Sequence, residues 1–352
     1  MPIAYRLAHK TGKLVAVKSI GIVIVSYGHE KEVTRLVNSF LPQLAENDKV
    51  RIVDNKKPWR ISSEDFADDR IKVIWHDNGG FAAGCNEGAK DLDADVYFFL
   101  NPDTLIVDPT LLDSMRAAAE TDYAAWMPYL LLEDGTINSA GNALHISGLS
   151  WCNGLGQQPI PGEITDISIA SGACLAVKRE WWEKLGGMEL PYFMYHEDTD
   201  FSARILLAGG RIGLYHNAFV QHDYDYGKGD YKWIYIERNR IVFALSTWPG
   251  SVLAVLAPQL LGVGLGLWLI AAKEKRLGLK WKSTKLLLKD ARTIYKMRRR
   301  TQKLRSVSAA EFFKKMSWQL DNPNLGINNR IVDAVYVMYY RVALSLLGGG
   351  QS

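Results

Sequence analysis

The chain has 352 residues, 48% hydrophobic and 11% aromatic, enough apolar material for one large core or two ordinary ones and too much for a disordered or fibrous protein. Its net charge of +4 is unevenly spread: residues 273–305 hold 14 Lys and Arg against 2 Asp and Glu, whereas residues 1–272 hold 24 against 33. Three cysteines, Cys85, Cys152 and Cys174, lie far apart with no CxxC pair, which argues against a disulfide framework or a thiolate zinc site and fits a reducing compartment.

The N-terminal stretch "MPIAYRLAHKTGKLVAVKS" lacks the apolar core and small-residue cleavage site of a signal peptide, so the bulk of the chain is expected to stay inside the cell. From there strands and helices alternate. "IGIVIVSYG" (20–28) is an apolar run ending in a small-residue turn, and "EKEVTRLVNSFLPQLAEN" (30–47) carries helical spacing. "KVRIVDN" (49–55), "IKVIWHD" (71–77) and "DVYFFLN" (95–101) each read as a strand ending in a polar residue. This alternation predicts an α/β fold with a doubly wound, largely parallel sheet. Ligands of such sheets sit beyond the carboxyl ends of the strands, which singles out Ser26 and Tyr27, Asp54 and Asn55, Asp77 to Gly80, and Asn101 to Asp103.

From 121 to 250 the pattern loosens into an α+β continuation, with strands at 124–132, 167–179 and 211–224 and helices at 180–186 and 230–246. Between them, "PYFMYHEDTDFSARILLAGG" (191–210) packs Glu197, Asp198 and Asp200 behind Tyr192, Phe193 and Tyr195. Helix capping explains acids in a first turn; a catalytic base would explain them as well.

"SVLAVLAPQLLGVGLGLWLIAA" (251–272) has no charge over 22 residues, long enough to span or enter a bilayer. Pro258, Gln259 and the glycines leave open a buried or surface-lying helical hairpin. Residues 275–305 interleave Leu, Trp and Tyr with Lys and Arg, as in a segment lying on an anionic leaflet. Nucleic acid is disfavoured as a partner, because the basic patch adjoins an apolar run and no recognised nucleic-acid fold.

Asp103, in an Asn-Pro-Asp turn after a buried strand, suits Mg²⁺ or Mn²⁺, which use one or two protein oxygens together with phosphates; it also suits a plain Asx turn. "HDNGGFAAGCNEGAK" (76–90) is neither a dinucleotide fingerprint nor a P-loop. Its glycines suit a backbone that approaches a ligand before a helix N-terminus. His222 follows a short strand and offers a second metal ligand to Asp103.

Together, "IVIVSYG", "RIVDN", "NGGFAAGCNEG", "FFLNPDT", "SGACLAVKREWWEKLGGM", "FMYHEDTDFSARILLAGGRI", "VQHDYDYG" and "ERNRI" resemble, in that order, family 2 inverting glycosyltransferases of the GT-A fold, above all bacterial rhamnosyltransferases. The resemblance covers about residues 20–245. It implies a catalytic domain over 1–248 and a helical, membrane-associated region over 249–352. Asp54 resembles the carboxylate that recognises the base, beside Ser26 and Tyr27; Asn78, Phe81 and Asn86 resemble donor-loop positions. Asp103 stands at the metal-binding Asp of the DxD motif, whose first Asp is here Asn101, and His222 matches the histidine of the metal or diphosphate site. Arg238 and Asn239 resemble an element near the diphosphate. Asp198 aligns with the general base, Glu197 with an acceptor or sugar contact, and Asp200 with the helix cap; Tyr195 and Trp181 are expected on the acceptor side.

The resemblance further implies an enzyme at the cytoplasmic face of the membrane. It would use Mg²⁺ or Mn²⁺ to move a sugar, dTDP-rhamnose being favoured over a UDP-hexose or UDP-galactofuranose, onto a polyprenyl-diphosphate-linked saccharide. Homo-oligomerisation is compatible with it. A nucleotidyltransferase would want a basic, glycine-rich signature where this chain has "SYGHEKE". A non-catalytic membrane scaffold would have no reason to hold Asp54, Asp103, Asp198 and His222 together.

Overall fold

The computed structural model describes residues 18–223, 229–319 and 330–349. The N-terminal stretch 1–17 and the "YDYG" part of the motif at 219–227 lie outside the described residues.

Strand β1 (Ile20–Ser26) and helix α1 (Glu30–Phe40) open the fold, followed by β2 (Lys49–Asp54), β3 (Ile71–Trp75), α2 (Phe81–Ala89), β4 (Val96–Leu100), β5 (Thr104–Leu105) and α3 (Leu111–Ala119). β1 and β4 are buried at every position, as expected of strands covered on both faces. The predicted helix over 30–47 stops at Phe40, where Pro42 enters a short 3₁₀ turn, Leu41–Gln43.

The second half adds β6 (Ala125–Leu131), β7 (Ile137–Ser139), β8 (Thr165–Asp166), β9 (Cys174–Lys178), α4 (Arg179–Leu185), α5 (Glu197–Leu207), β10 (Ile212–His222) and α6 (Asp230–Thr247). The sheet runs β3-β2-β1-β4-β9-β6-β10-β5, with β7 on β6 and β8 on β10. β3, β2, β1 and β4 pair in parallel, but β9 is antiparallel to both β4 and β6. β6 and β10 pair in parallel again, so the sheet expected to be largely parallel is mixed, with β9 as its antiparallel strand between the two parallel parts. The strand expected over 167–179 shrinks to Cys174–Lys178, because Ser171 to Ala173 turn away to serve the site.

The glycines of 79–88 mostly serve packing. A Cβ on Gly84 would come 2.5 Å from a Val25 methyl, and one on Gly88 would come 2.4 Å from Val23. α2 can therefore lie directly on β1 only with glycine on that face.

Beyond Pro249 come α7 (Gly250–Lys273), α8 (Leu277–Lys289), α9 (Ala291–Leu304), α10 (Ala309–Lys314) and α11 (Arg330–Leu346). The apolar stretch is one unbroken helix with Pro258 inside, not a hairpin. The basic segment is two helices that meet at Asp290, and both pack on α6. Trp248, Val252, Leu256, Ile294 and Met297 belong to the same core as the sheet, so the core continues through residue 249.

Candidate active site

The pairing of β5 with β10 is antiparallel and sets Thr104 opposite His222, which brings the Asn-Pro-Asp turn against the end of β10. His222 Nε2 lies 3.4 Å from Asp103 Oδ1. Its Nδ1 sits 2.9 Å from Asn138 Oδ1, an atom that only accepts, so Nδ1 carries the hydrogen in the neutral ring and Nε2 keeps its lone pair. A carboxylate oxygen and an imidazole nitrogen thus face the same gap, a donor pair that could bind a divalent cation. One carboxylate with one imidazole suits Mn²⁺, and Mg²⁺ less well because it prefers oxygen ligands. The residues fit a divalent ion. Close by, Asn101 Oδ1 is buried with no partner among the described residues, the kind of orphan that marks a ligand site.

Asp198 sits in the first turn of α5. Its Oδ2 accepts from Gly172 N at 2.9 Å, and its Oδ1 accepts from Thr199 N at 2.6 Å and Thr199 Oγ1 at 3.2 Å. Burial raises its pKa against these hydrogen bonds, which lower it. The carbonyl next to Gly172 turns the other way: Ala173 O accepts from Asn101 N at 3.0 Å. The loop Ser171 to Ala173 thus fixes the carboxylate of Asp198 relative to the Asp103 turn. The Phe81 ring edge lies on the same loop, 3.4 Å from where a Cβ on Gly172 would stand.

Glu197 differs from its neighbour. It is buried, its Oε2 has no partner among the described residues, and burial together with the charge of Asp198 pushes its pKa up to about 8. At neutral pH it is mostly protonated, leaving Asp198 as the member of the pair that can take a proton.

Asp200 is not the helix cap; α5 has no side-chain cap. It is fully buried and accepts from Arg204 Nε at 2.7 Å, Thr247 Oγ1 at 2.7 Å and Tyr192 O–H at 3.1 Å. Arg204 in turn donates to the carbonyls of Leu185 at 2.9 Å and Gly187 at 2.8 Å. Every strong group in this ion pair is satisfied, which makes it a structural post beneath the site. Tyr192 belongs to that post. Phe193 stacks on Tyr235 with centroids 5.4 Å apart.

The chain reaches α5 through a strained turn. Met194 N donates to Tyr192 O at 2.7 Å across Phe193, whose φ 62° and ψ −61° make a γ-turn. Tyr195 and His196 follow with φ 66° and 69°; each such non-glycine residue costs about 1–3 kcal/mol. Phe193 O also accepts from Phe81 N at 2.7 Å, and a Cβ on Gly80 would stand only 2.0 Å from that oxygen. Gly80, at φ 91°, lets the two halves of the site touch.

Of the residues expected at the donor, Ser26 is buried and its Oγ accepts from His29 N at 3.3 Å, while Tyr27 is half exposed with Lys56 Nζ 5.7 Å from its ring. Asp54 is buried, and its oxygens accept from Lys56 N at 3.1 Å, Arg60 N at 3.1 Å and Ile61 N at 3.4 Å. It folds the loop that borders the site. Asn78 accepts from Gly80 N at 3.0 Å and shapes the approach to α2.

Three expected site residues are elsewhere. Asn86 mimics a strand partner for Met188, donating to its O at 2.8 Å and accepting from its N at 2.9 Å. Trp181 packs at Gly210, beyond the C-terminal end of α5, with Lys184 Nζ 4.0 Å from its ring; that end is about 13 Å from Asp198 by helix rise. Arg238 donates to Pro191 O at 2.7 Å and binds Asp290 Oδ2 at 2.5 Å, so its guanidinium ties α6 to the α8–α9 junction. Asn138 and Gly172 carry no local signal of their roles, since both act on residues distant in sequence.

Several known proteins are similar to parts of this chain. Residues 21–186 match the family model described as "Glycosyl transferase family 2". The chain is 27% identical over 227 residues to the "O-antigen biosynthesis protein RfbC" of Myxococcus xanthus, over 60% of this chain and 17% of that protein. It is 26% identical over 208 residues to the "Rhamnosyltransferase WbbL" of Escherichia coli (strain K12), over 54% of this chain and 78% of that one. Among solved structures, GalNAc-T7, determined with UDP, GalNAc and Mn²⁺, superposes with a TM-score of 0.54 at 15% identity, over 68% of this chain and 51% of the other. The last likeness shows the fold, GT-A, and no more.

Proposed function

We propose, from the premise that this chain is a glycosyltransferase carrying a family 2 domain, that it moves a sugar from a nucleoside diphosphate to a saccharide acceptor with inversion at the anomeric carbon. The observation that carries the reading is the loop Ser171 to Ala173, which holds the Asp198 carboxylate on one side and the Asn101–Asp103 turn on the other. An inverting transfer needs those two features: a base on the attacking face and a cationic site for the departing diphosphate.

In this reading Asp198 accepts the proton of the acceptor hydroxyl as its oxygen bonds to the anomeric carbon, while the bond to the diphosphate breaks and its electrons leave with the phosphate. A raised pKa makes Asp198 the better base. Asp103 and His222 would hold the Mg²⁺ or Mn²⁺, whose charge stabilises the leaving diphosphate. Ser26, Tyr27 and the loop folded by Asp54 border the nucleotide, Phe81 lines the gap between the two features, and Glu197, neutral, donates a hydrogen bond to a sugar hydroxyl; Tyr195 is kept on the acceptor side. The rhamnosyltransferase and O-antigen names of the relatives favour dTDP-rhamnose and a surface-polysaccharide acceptor, with UDP-linked hexoses as the alternative.

The acceptor is read as lipid-linked because α7 is long and apolar enough to enter a membrane, with only 6% of its apolar window buried. At 24 residues it would be about 36 Å long. Leu261, Leu265 and Leu269 form an exposed stripe on it, and the basic helix α8 packs against it through Trp268 and Trp281. This supports a place on the cytoplasmic leaflet.

A panel of nucleotide sugars, dTDP-rhamnose, UDP-glucose, UDP-galactofuranose and GDP-mannose, tested with Mn²⁺ for hydrolysis and for transfer to a polyprenyl-linked saccharide, tests the reading. Selective turnover of dTDP-rhamnose is the expected result. Turnover of none, by protein that binds neither UDP nor dTDP, would overturn it.

A further inference from the structure

Asn239 lies in α6, against the strained turn, and is completely buried. Its Nδ2 donates to three carbonyls: Tyr192 O at 3.0 Å, Met194 O at 2.8 Å and Tyr195 O at 2.7 Å. Those carbonyls bracket Phe193 on both sides, the residue with the least favourable backbone angles in the turn. Its Oδ1 is held by Arg238 at 2.5 Å, and the same guanidinium nitrogen donates to Pro191 O at 2.7 Å. One amide and one guanidinium thus occupy the carbonyls of Pro191, Tyr192, Met194 and Tyr195, the four that lead into α5.

A turn with three unfavourable φ values among four residues does not hold itself. Local hydrogen bonding supplies Met194 N to Tyr192 O across Phe193 and Phe193 N to Leu190 O at 3.2 Å. The carbonyls of Met194 and Tyr195 are met from α6 instead, and an amide with two hydrogens is a compact neutral group able to serve them. A serine would reach fewer of them, and an aspartate would set negative charge against oxygen.

We propose that Asn239 is a positioning residue for transfer: by clamping the 192–195 carbonyls it fixes the start of α5, and with it the Asp198 carboxylate against Gly172. Arg238 extends the clamp to Asp290, where α8 meets α9, so the basic helices and the base share one mechanical link. This rests on Asp198 being the base, but the clamp can be read without any substrate.

The experiment uses full-length protein and three variants: Asn239→Ser, Asn239→Asp and Asp290→Asn. The first readout is amide hydrogen exchange over residues 193–199 compared with β1 and β4. The second is kcat and KM for the nucleotide sugar identified in the panel. Displacing the base without touching the donor pocket should lower kcat by about 30-fold or more in Asn239→Ser and further in Asn239→Asp, with donor KM within about threefold. Exchange should quicken about tenfold or more in 193–199 alone, and Asp290→Asn should show the same pattern more weakly.

Unchanged exchange in the turn would overturn the proposal, as would faster exchange spread evenly over the sheet, which marks a merely structural residue. Loss of kcat matched by an equal rise in KM would overturn it too. If no donor in the panel is turned over, the functional reading fails separately and the exchange result still decides the clamp.

Discussion

Gly172 N donates to Asp198 Oδ2 at 2.9 Å, and the carbonyl of the following residue, Ala173 O, receives Asn101 N at 3.0 Å. The short loop Ser171 to Ala173 therefore joins the carboxylate read as the base to the turn read as the metal site. The relationship also explains the glycine: a Cβ there would stand 3.2 Å from Asp198 Cβ and 3.4 Å from the Phe81 ring, tight on both sides.

Replacing Asp198 by Asn keeps the shape but leaves one acceptor oxygen for the two backbone N–H groups of Gly172 and Thr199, and it removes the base. Turnover should fall by about 10²–10⁴-fold, the usual worth of general base catalysis. Nucleotide binding, followed by calorimetry with dTDP and UDP, should stay close to wild type. Ordinary turnover by Asp198→Asn would remove the residue from its assigned role.

Asp103 and His222 are expected to act as a pair. Chelation with EDTA should abolish transfer, and Mn²⁺ should restore it. Asp103→Ala and His222→Ala should each weaken Mn²⁺ binding, measured by electron paramagnetic resonance with dTDP present. Asn138→Ala, which frees the His222 ring to turn, should weaken it about 10-fold. Full activity in excess chelator would reduce Asp103 to a turn residue.

The Asp200–Arg204 pair should matter for stability and little for chemistry. Asp200→Ala leaves the Arg204 guanidinium buried without its carboxylate, a loss of about 3–5 kcal/mol. Denaturant unfolding followed by circular dichroism reads this as a lower midpoint. A variant as stable as wild type would show that the buried charge finds other partners.

Much of the frame was legible in the sequence because it depends on local pattern. The runs at 20–26 and 96–100 are apolar at nearly every position, which marks strands covered on both sides, and each ends in a polar turn where the site then lies. What misled were residues whose role is set by contacts across the fold. Gly84 and Gly88 look like a ligand loop and are a packing face; Trp181 and Asn86 lie in site-like motifs and point to other neighbours. Asp198 and Asp200 stand two residues apart on one helix, and only the packing of Tyr192, Arg204 and Thr247 around the second separates a base candidate from a structural post.

Membrane association should be testable without cutting the chain. Truncation near residue 249 would remove Val252, Leu256, Ile294 and Met297 from the core and the Asp290 partner of Arg238, so loss of binding would be confounded with unfolding. Leu261, Leu265 and Leu269 are 67–73% exposed and nearly free of packing duty. Changing all three to Gln should leave the melting temperature within a few degrees. Partition onto vesicles of phosphatidylglycerol and phosphatidylethanolamine should drop by about 100-fold or more, since each exposed Leu contributes about 1.5–3 kcal/mol when buried in an apolar phase. Raising salt should weaken what remains, through the basic helices. Undiminished partition by the triple variant would place the contact on another face.

Glu197 gives the protein a pH dependence opposite in sign to that of an ordinary ion-paired acid. Its folded pKa of about 8 lies above the unfolded value of 4.5, so between those values the native state holds a proton that the unfolded chain has released. By linkage, the contribution is fully present below pH 4.5 and is lost as pH rises through about 8. Glu197→Gln replaces the protonated acid by an uncharged group of the same shape and removes that dependence. The variant should match wild type near pH 5 and exceed it by about 2 kcal/mol or more near pH 9, read from denaturant unfolding at both values. Burial is the larger cause of the shift and the Asp198 charge the second, so the gap between Glu197 and Gln should persist but narrow when Asp198 is also Asn. Parallel pH profiles for wild type and Glu197→Gln would mean that Glu197 is ionised in the folded protein, leaving no neutral acid beside the base to donate to a sugar hydroxyl.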